Sequence, residues 1–275
     1  MSLSERTEKI LVYIVVVLLT LVTLFPIYWM FLTSLKGKAE VYSAPQFIPR
    51  KFNFSNYIRP FLDGPMGGYL LNSIMIASLN VLLVLALAIP ATYALSRFRV
   101  YGAKHLFFWM ITNRMAPPAA FILPMFLIFS SLKLLDTHLA LILVYCVFNL
   151  PFAVWLLKGM IDNIPNDLDD AALIDGCSIW GVLGRVIIPL AKPGIAVTGL
   201  LCWLFAWNNY IFAFVLTNTT ARTITTGLAE YVTVMGTNWG QMAAVALVTM
   251  LPAFIFVTFT QSYIISGLTF GAVKE

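Results

Sequence analysis

Charge is what this chain has least of: Asp, Glu, Lys and Arg make up 11% of its 275 residues, against 60% hydrophobic, and the mean hydropathy is +0.89. A composition so poor in charge excludes a soluble globular domain and leaves an integral membrane protein. All twelve acids (Glu5, Glu8, Glu40, Asp63, Asp136, Asp162, Asp167, Asp169, Asp170, Asp175, Glu230 and Glu275) fall outside the long apolar runs. No carboxylate inside a span is on hand to carry a proton or hold a sodium ion, which disfavours ion-coupled transport, although backbone carbonyls could still bind a cation. A phosphate loop is missing too. The one Gly-Lys pair, Gly37-Lys38, continues with Ala39 and lacks the upstream glycine, so nucleotide energy has to come from another chain. Neither HExxH nor GxSxG occurs, His105 and His138 stand far apart, and Cys146, Cys177 and Cys202 have neither metal-ligand nor disulfide spacing. No catalytic residue, metal site or bound cofactor is expected. The net charge of +5 is spread along the chain without a basic cluster, which argues against nucleic acid as a partner.

What the chain has in abundance is long hydrophobic runs, at about residues 10–35, 69–95, 104–131, 138–158, 193–216 and 241–266. Each suffices to cross a bilayer as a helix, and their continuity excludes the alternation of a membrane barrel. The expected fold is an all-α membrane protein with six transmembrane helices. The first run is too long for a signal-peptide core and reads as a retained span. Arg97, Arg99 and Lys104 crowd one short loop without an acid, which favours a cytoplasmic amino terminus. The expected division is therefore residues 1–9 as a cytoplasmic amino terminus, 10–267 as the membrane domain and 268–275 as a cytoplasmic tail. Residues 36–68, rich in Pro and Gly, form an outer loop of turns and short pieces. A second outer segment, Asn218 to Trp239, is expected to be partly helical around Gly227 to Val234.

One polar stretch, Asn163 to Lys192, stands out between the runs. Asn166 is placed to cap a short helix, with Asp169 in the capping-box position and Asp167, Asp169 and Asp170 in the positive first turn. Gly176 is placed to stop that helix. Leu168, Ala171, Ala172 and Asp175 share a face at helical spacing, and the two alanines leave it low enough for another protein to approach. Five acids between Asp162 and Asp175 could face a basic partner surface, or be a solvated polar loop.

Two groups inside the runs are candidates for a transport path. Arg114 is the one unequivocal charge in a span, next to Asn113 and followed by Pro117 and Pro118. A charge at that depth costs roughly 2.5–3.5 kcal/mol on insertion scales, so Arg114 should face the bundle interior or a wet cavity. The alternative is an Arg satisfied by carbonyls that the prolines release. Trp207-Asn208-Asn209-Tyr210 places two amides and two polar-tipped aromatics within the fifth run. Aromatic faces and amides suit a polyhydroxyl substrate, and interhelical hydrogen bonding is the competing reading. Asn72 and Asn149 are weaker candidates.

The polar hairpin resembles the EAA loop of binding-protein-dependent ABC importer permeases: Asp170-Ala171-Ala172, three residues, Gly176, nine residues, then Val186-Ile187-Ile188-Pro189. The departure is Asp170 where that family usually has Glu. Phe25-Pro26-Ile27-Tyr28-Trp29, Thr33-Ser34-Leu35-Lys36, Ala91 to Phe98, Trp207-Asn208 and Gly267-Leu268-Thr269 extend the likeness to the carbohydrate-uptake branch, in particular the smaller permease of maltose-type systems. The resemblance implies a type I importer permease fold with a cytoplasmic coupling helix. It further implies that Asp170, Ala171, Ala172, Asp175, Gly176 and Pro189 take part in coupling to an ATPase, and that the carboxyl tail reaches the ATPase interface. The implied partners are a second homologous permease in a heterodimer, two cytoplasmic ATPase subunits carrying ATP and Mg, an extracytoplasmic solute-binding protein and the lipid of the bacterial inner membrane. The implied cargo is a sugar or polyol, glycerol derivatives included. A gradient-driven polyol carrier or channel is the rival class.

Overall fold

The computed structural model describes residues 3–233 and 236–269, with side chains described for 8–112, 115–233 and 236–262. The elements in order are α1 (Leu3–Ser34), α2 (Lys38–Val41), α3 (Ser55–Ile58), a π-helical segment (Arg59–Asp63), α4 (Met66–Arg97), α5 (Ala103–Met115), α6 (Pro118–Ser131) and α7 (His138–Ile161). After these come α8 (Asp167–Ile174), α9 (Ile179–Val182), a second π-helical segment (Leu183–Ile187), α10 (Ile188–Trp207), α11 (Ile211–Leu216), α12 (Ile224–Ala229), β1 (Val232–Thr233), β2 (Gly236–Thr237) and α13 (Trp239–Thr269). The chain is thus all-α apart from one two-stranded antiparallel hairpin among the described residues. Two compact units share it: residues 1–67 with 228–250, and residues 68–227 with 251–275.

Among the described residues five helical stretches are long and apolar enough to cross a membrane: Glu8–Ser34, Met66–Arg97, His138–Ile161, Ile179–Trp207 and Trp239–Ser262. The expected third span, 104–131, is not one rod but α5 and α6. A proline forces the residue before it out of the α region, and Pro117-Pro118 applies this twice in succession. Pro117 sits extended at φ −65°, ψ 128°, and Pro118 opens α6 from the first-turn position, where its missing N–H leaves no bond unmade. Neither half, at about 20 Å of rise, spans alone. The expected fifth span also differs at both ends. Its helix begins before Pro189 as a continuation of the preceding hairpin, and it stops at Trp207, leaving Asn208–Tyr210 non-helical before α11. The asparagine side chains compete for the backbone there. Asn208 Nδ2 donates to the Leu204 carbonyl (2.8 Å), and Asn209 Oδ1 accepts from the Phe212 N–H (3.3 Å) at the start of α11. The helix expected around Gly227 to Val234 ends at Ala229, and Val232–Thr233 is strand.

In the first unit, the loop after α1 is ordered by polar groups that finish the helix. Asn56 Nδ2 donates to the carbonyls of Ser34 and Lys36, both at 2.9 Å. Lys36 is buried, donating to the Gln46 carbonyl (2.7 Å) with its ammonium 5.0 Å from the Trp29 ring centroid. Orphan carbonyls at a helix end need such partners.

In the second unit, α7 is the central helix, its inward face running from Ala140 through Val144, Ala153 and Leu157 to Ile161. α10 packs on it closely enough that a Cβ at Gly194 would meet Met160 Sδ. Two asparagines in this interior are paired: Asn149 Nδ2 donates to Asn80 Oδ1 (2.8 Å) and to the Cys202 carbonyl (3.0 Å), and Asn80 Nδ2 donates to the Ile142 carbonyl (2.9 Å). Asn149 is therefore a tie between α4, α7 and α10. Replacing it by Leu strands Asn80 Oδ1 and takes the second donor from the Cys202 carbonyl, and should lower stability by about 1–2 kcal/mol. The expected outcome is a lower thermal midpoint of the detergent-solubilised protein, partly recovered in N80L/N149L.

Candidate coupling hairpin and substrate path

The segment after α7 folds as a helical hairpin with an inner face of its own. α8 ends at Ile174, Asp175 is its C-cap, and Gly176 turns the chain at φ +84°, a left-handed conformation that only glycine adopts without strain. The Gly176 N–H donates to the Leu173 carbonyl and the Cys177 N–H to the Ala172 carbonyl, both at 3.0 Å. This is a Schellman closure, and its accompanying apolar contact is present as Cys177 beside the cluster that holds Ala172. The chain then re-enters helix at once, with Ser178 Oγ accepting from the Gly181 N–H at 3.2 Å.

Pro189 accounts for the shape of the adjoining turn. Lacking an N–H, it leaves the Arg185 carbonyl without an α-helical donor, and the preceding turn widens to π, with the Ile188 N–H bonded to the Leu183 carbonyl. The helix is widened there without being broken. Ile179–Trp207 is one apolar helical stretch of 29 residues that joins the hairpin directly to the membrane-length helix.

The hairpin is seated on a buried cluster of Tyr93, Ile161, Ala172, Val182, Leu183, Ile187 and Ala191, so α4, α7, α8 and α10 meet there. Beside it Arg97, the last residue of α4, pairs through Nε with Asp169 Oδ2 at 2.5 Å, both side chains only 8% exposed. Its Nη2 donates to the Ile164 carbonyl at 2.8 Å. This corrects two expectations. Asp169 does not close a capping box, and Asn166, itself helical at φ −64°, ψ −27°, makes no side-chain cap, because a buried charge-assisted bond to Arg97 outweighs a local cap. The expected common face of Leu168, Ala171, Ala172 and Asp175 is also divided. Ala172 turns inward with Asp169, while Leu168, Asp170, Ala171, Asp175 and Gly176 are exposed. The outward surface is strongly apolar for a polar loop: Ile174 is 86% and Trp180 72% exposed, with Leu168, Leu173 and Ile179 also open.

The path candidates are scattered. Asn113 and Arg114 stand on α5 just before the break at Pro117, but their side chains lie outside the described residues. Trp207 is buried and stacked on Trp203 with ring centroids 4.7 Å apart. Asn208 and Tyr210 are exposed, Tyr210 stacking on Phe214. The Asn209 carbonyl accepts from Thr225 Oγ1 at 3.2 Å. A cavity of about 70 Å³ beside it is lined by Tyr145, Phe148, Asn149, Phe205 and Asn209, among others. Asn72 is occupied elsewhere, donating to the carbonyls of Thr220 and Arg222 and meeting His138 Nε2. Most of the carboxyl tail, from residue 270, lies outside the described residues.

At the end of α7 away from the hairpin stands Asp136, which belongs to no sequence motif. Its carboxylate accepts from the N–H groups of Asn218, Thr219, Thr220 and Ala221 at 2.9–3.2 Å. Its own backbone is left-handed at φ +57°. Burial raises its pKa, but these four N–H donors together outweigh that and hold the carboxyl well below the ordinary carboxylate range. A depressed folded pKa means a stabilising contribution fully present above the unfolded value, about 3.9, and lost as pH falls through the folded one. D136N should therefore accelerate amide exchange across Asn218–Ala221 by at least about tenfold at neutral pH, and wild-type protection there should decline only below about pH 4.

In the second unit, membrane-length helices interrupted at prolines and asparagines carry one short helix seated where α4, α7 and α10 meet, an arrangement suited to a helical transport permease. The chain belongs to the family described as the binding-protein-dependent transport system inner membrane component, which it matches over residues 85–269. It is 34% identical over 253 residues to the sulfoquinovosyl glycerol transport system permease protein of Agrobacterium fabrum, covering 91% of this chain and 89% of that protein. It is 33% identical over 275 residues to the trehalose/maltose transport system permease protein of Thermococcus litoralis, covering 98% and 99%. Its fold superimposes with a TM-score of 0.80 on a chain of a bacterial ABC transporter involved in import of the acidic polysaccharide alginate, at 26% identity and covering 96% and 98% of the two chains. The protein is thus an inner-membrane permease subunit of a binding-protein-dependent ABC importer, and the gradient-driven carrier is set aside.

Proposed function

We propose that this permease translocates a sugar or polyol, glycerol derivatives included, and is driven through its hairpin by an ATPase that is a separate chain. The observation that carries the coupling half is the form of α8: a short helix closed by left-handed Gly176, anchored inward by Ala172 and presenting Asp170, Ala171, Ile174 and Asp175 outward. An exposed apolar surface ringed by acids suits a cleft with apolar walls and a basic rim. ATP and Mg belong to the ATPase, of which two copies serve a pair of homologous permeases, this chain and a different partner. A solute-binding protein delivers the cargo from the opposite side. Both termini and the hairpin are cytoplasmic, 10–267 forms the membrane domain and 268–275 the tail.

In this reading Asp170, Ala171, Asp175 and Gly176 form the contact, Ala172 seats it, and Pro189 shapes the joint through which the movement enters α10. The substrate half rests on the permeases for sugar-containing cargo among its relatives and on the amide and aromatic side chains at the break after Trp207. Asn208 and Tyr210, exposed there, are the first path residues to test, with Asn209, Trp207, Asn113 and Arg114 next.

Gly176→Leu provides the test. The left-handed conformation costs a bulky residue about 1–2 kcal/mol, so the turn should shift and the helix leave its contact. Uptake of the solute retained by the cognate binding protein should fall by about tenfold or more while the permease still assembles in the membrane. Normal uptake with normal solute-stimulated ATP hydrolysis in that variant would refute the coupling role.

A further inference from the structure

The hairpin has two attachments to the bundle that differ in kind. One is covalent and helical, through the stretch Ile179–Trp207. The other joins α8 to α4, which is remote in sequence: Asp169 lies 72 residues from Arg97, and the pair is buried. Arg97 also holds the Ile164 carbonyl just ahead of α8, so one guanidinium grips the entry to the helix and its first turn. Tyr93, one turn earlier on α4, is packed in the apolar cluster, and its hydroxyl also faces the Asp169 carboxylate. On the same stretch of α4, Thr92 Oγ1 and Ser96 Oγ are buried without hydrogen-bond partners. The Arg97 guanidinium is therefore the charged connection from α4 to the hairpin among the described residues.

We propose that the Arg97–Asp169 pair is a strut that carries movement of α8 into α4, so that α4 and α10 are displaced together when the hairpin is pushed. This rests on the coupling role proposed above. Without the Arg97 guanidinium, α8 would be tied to α4 by apolar contacts and the single Tyr93 hydroxyl, which permit sliding, whereas a two-point guanidinium grip fixes both direction and distance. Arg97 and Asp169 are thus positioning residues: Asp169 is buried and does not itself meet the partner.

A purely structural pair and a strut respond in opposite ways to removing both charges. Removing one partner leaves a buried charge uncompensated and harms folding under either reading, whereas removing both is commonly tolerated. The informative variant is therefore R97M/D169N, compared with D169N and R97K, in the complete importer reconstituted with its ATPase and solute-binding protein in liposomes. Three quantities are measured: ATPase retained on the purified permease, hydrolysis without solute-binding protein, and stimulation of hydrolysis by the solute-loaded binding protein. The strut requires that R97M/D169N retain the ATPase and its unstimulated hydrolysis, yet lose stimulation by about tenfold, with R97K intermediate. Full stimulation in R97M/D169N would overturn the proposal, and so would loss of the ATPase from that variant, since the pair would then only shape the docking surface. Failure of the coupling role itself is separately visible, as normal stimulation in Gly176→Leu.

Discussion

The burial of Ala172 among Tyr93, Ile161, Val182 and Ile187 is the contact on which the rest of the arrangement depends. Its methyl group is buried where α8 comes down onto α4, α7 and α10. Because Ala172 is also the residue whose carbonyl closes the turn at Gly176, helix end and helix seat are fixed by one position. That removes the freedom a polar connection would otherwise have, and a connection without freedom can transmit displacement.

The hairpin and the membrane helix behind it form a continuous object because Pro189 is absorbed without a break. A proline in a helix interior removes a hydrogen bond and usually kinks the rod. The widened turn Leu183–Ile187 accommodates the missing donor, and α10 then runs on to Trp207. Its end is set by Asn208 and Asn209, whose amides bond the local backbone and interrupt the helix. The interruption at Pro117-Pro118 does the same for α5 and α6 with different chemistry.

Asparagines and one aspartate organise the remainder. Asn80 and Asn149 bind three helices at the interior, and Asn56 finishes α1. Asp136 gathers four N–H groups of a loop more than 80 residues away. Each adds hydrogen bonds to backbone groups of an element remote in sequence. None belongs to a local motif, so none could be assigned from spacing.

The amino-acid sequence by itself determined the membrane class, the position of most spans, the separation of every acid from them, and the hairpin with its stop at Gly176. These depend on local quantities: hydropathy summed over a run, and the conformational freedom of a single glycine. It also located Pro117-Pro118 and the asparagines after Trp207, but not that they would break the spans, since helix continuity at such residues depends on what neighbouring elements supply. Only the tertiary structure decided that Asp169 turns to Arg97 and leaves the helix end uncapped, that Ala172 faces inward while Ala171 faces out, and that Asn149 and Asn72 are ties between elements. The reason is the same in each case. A side chain able to bond its own backbone or a distant partner goes where burial makes the bond strongest, and burial is a property of the assembled fold.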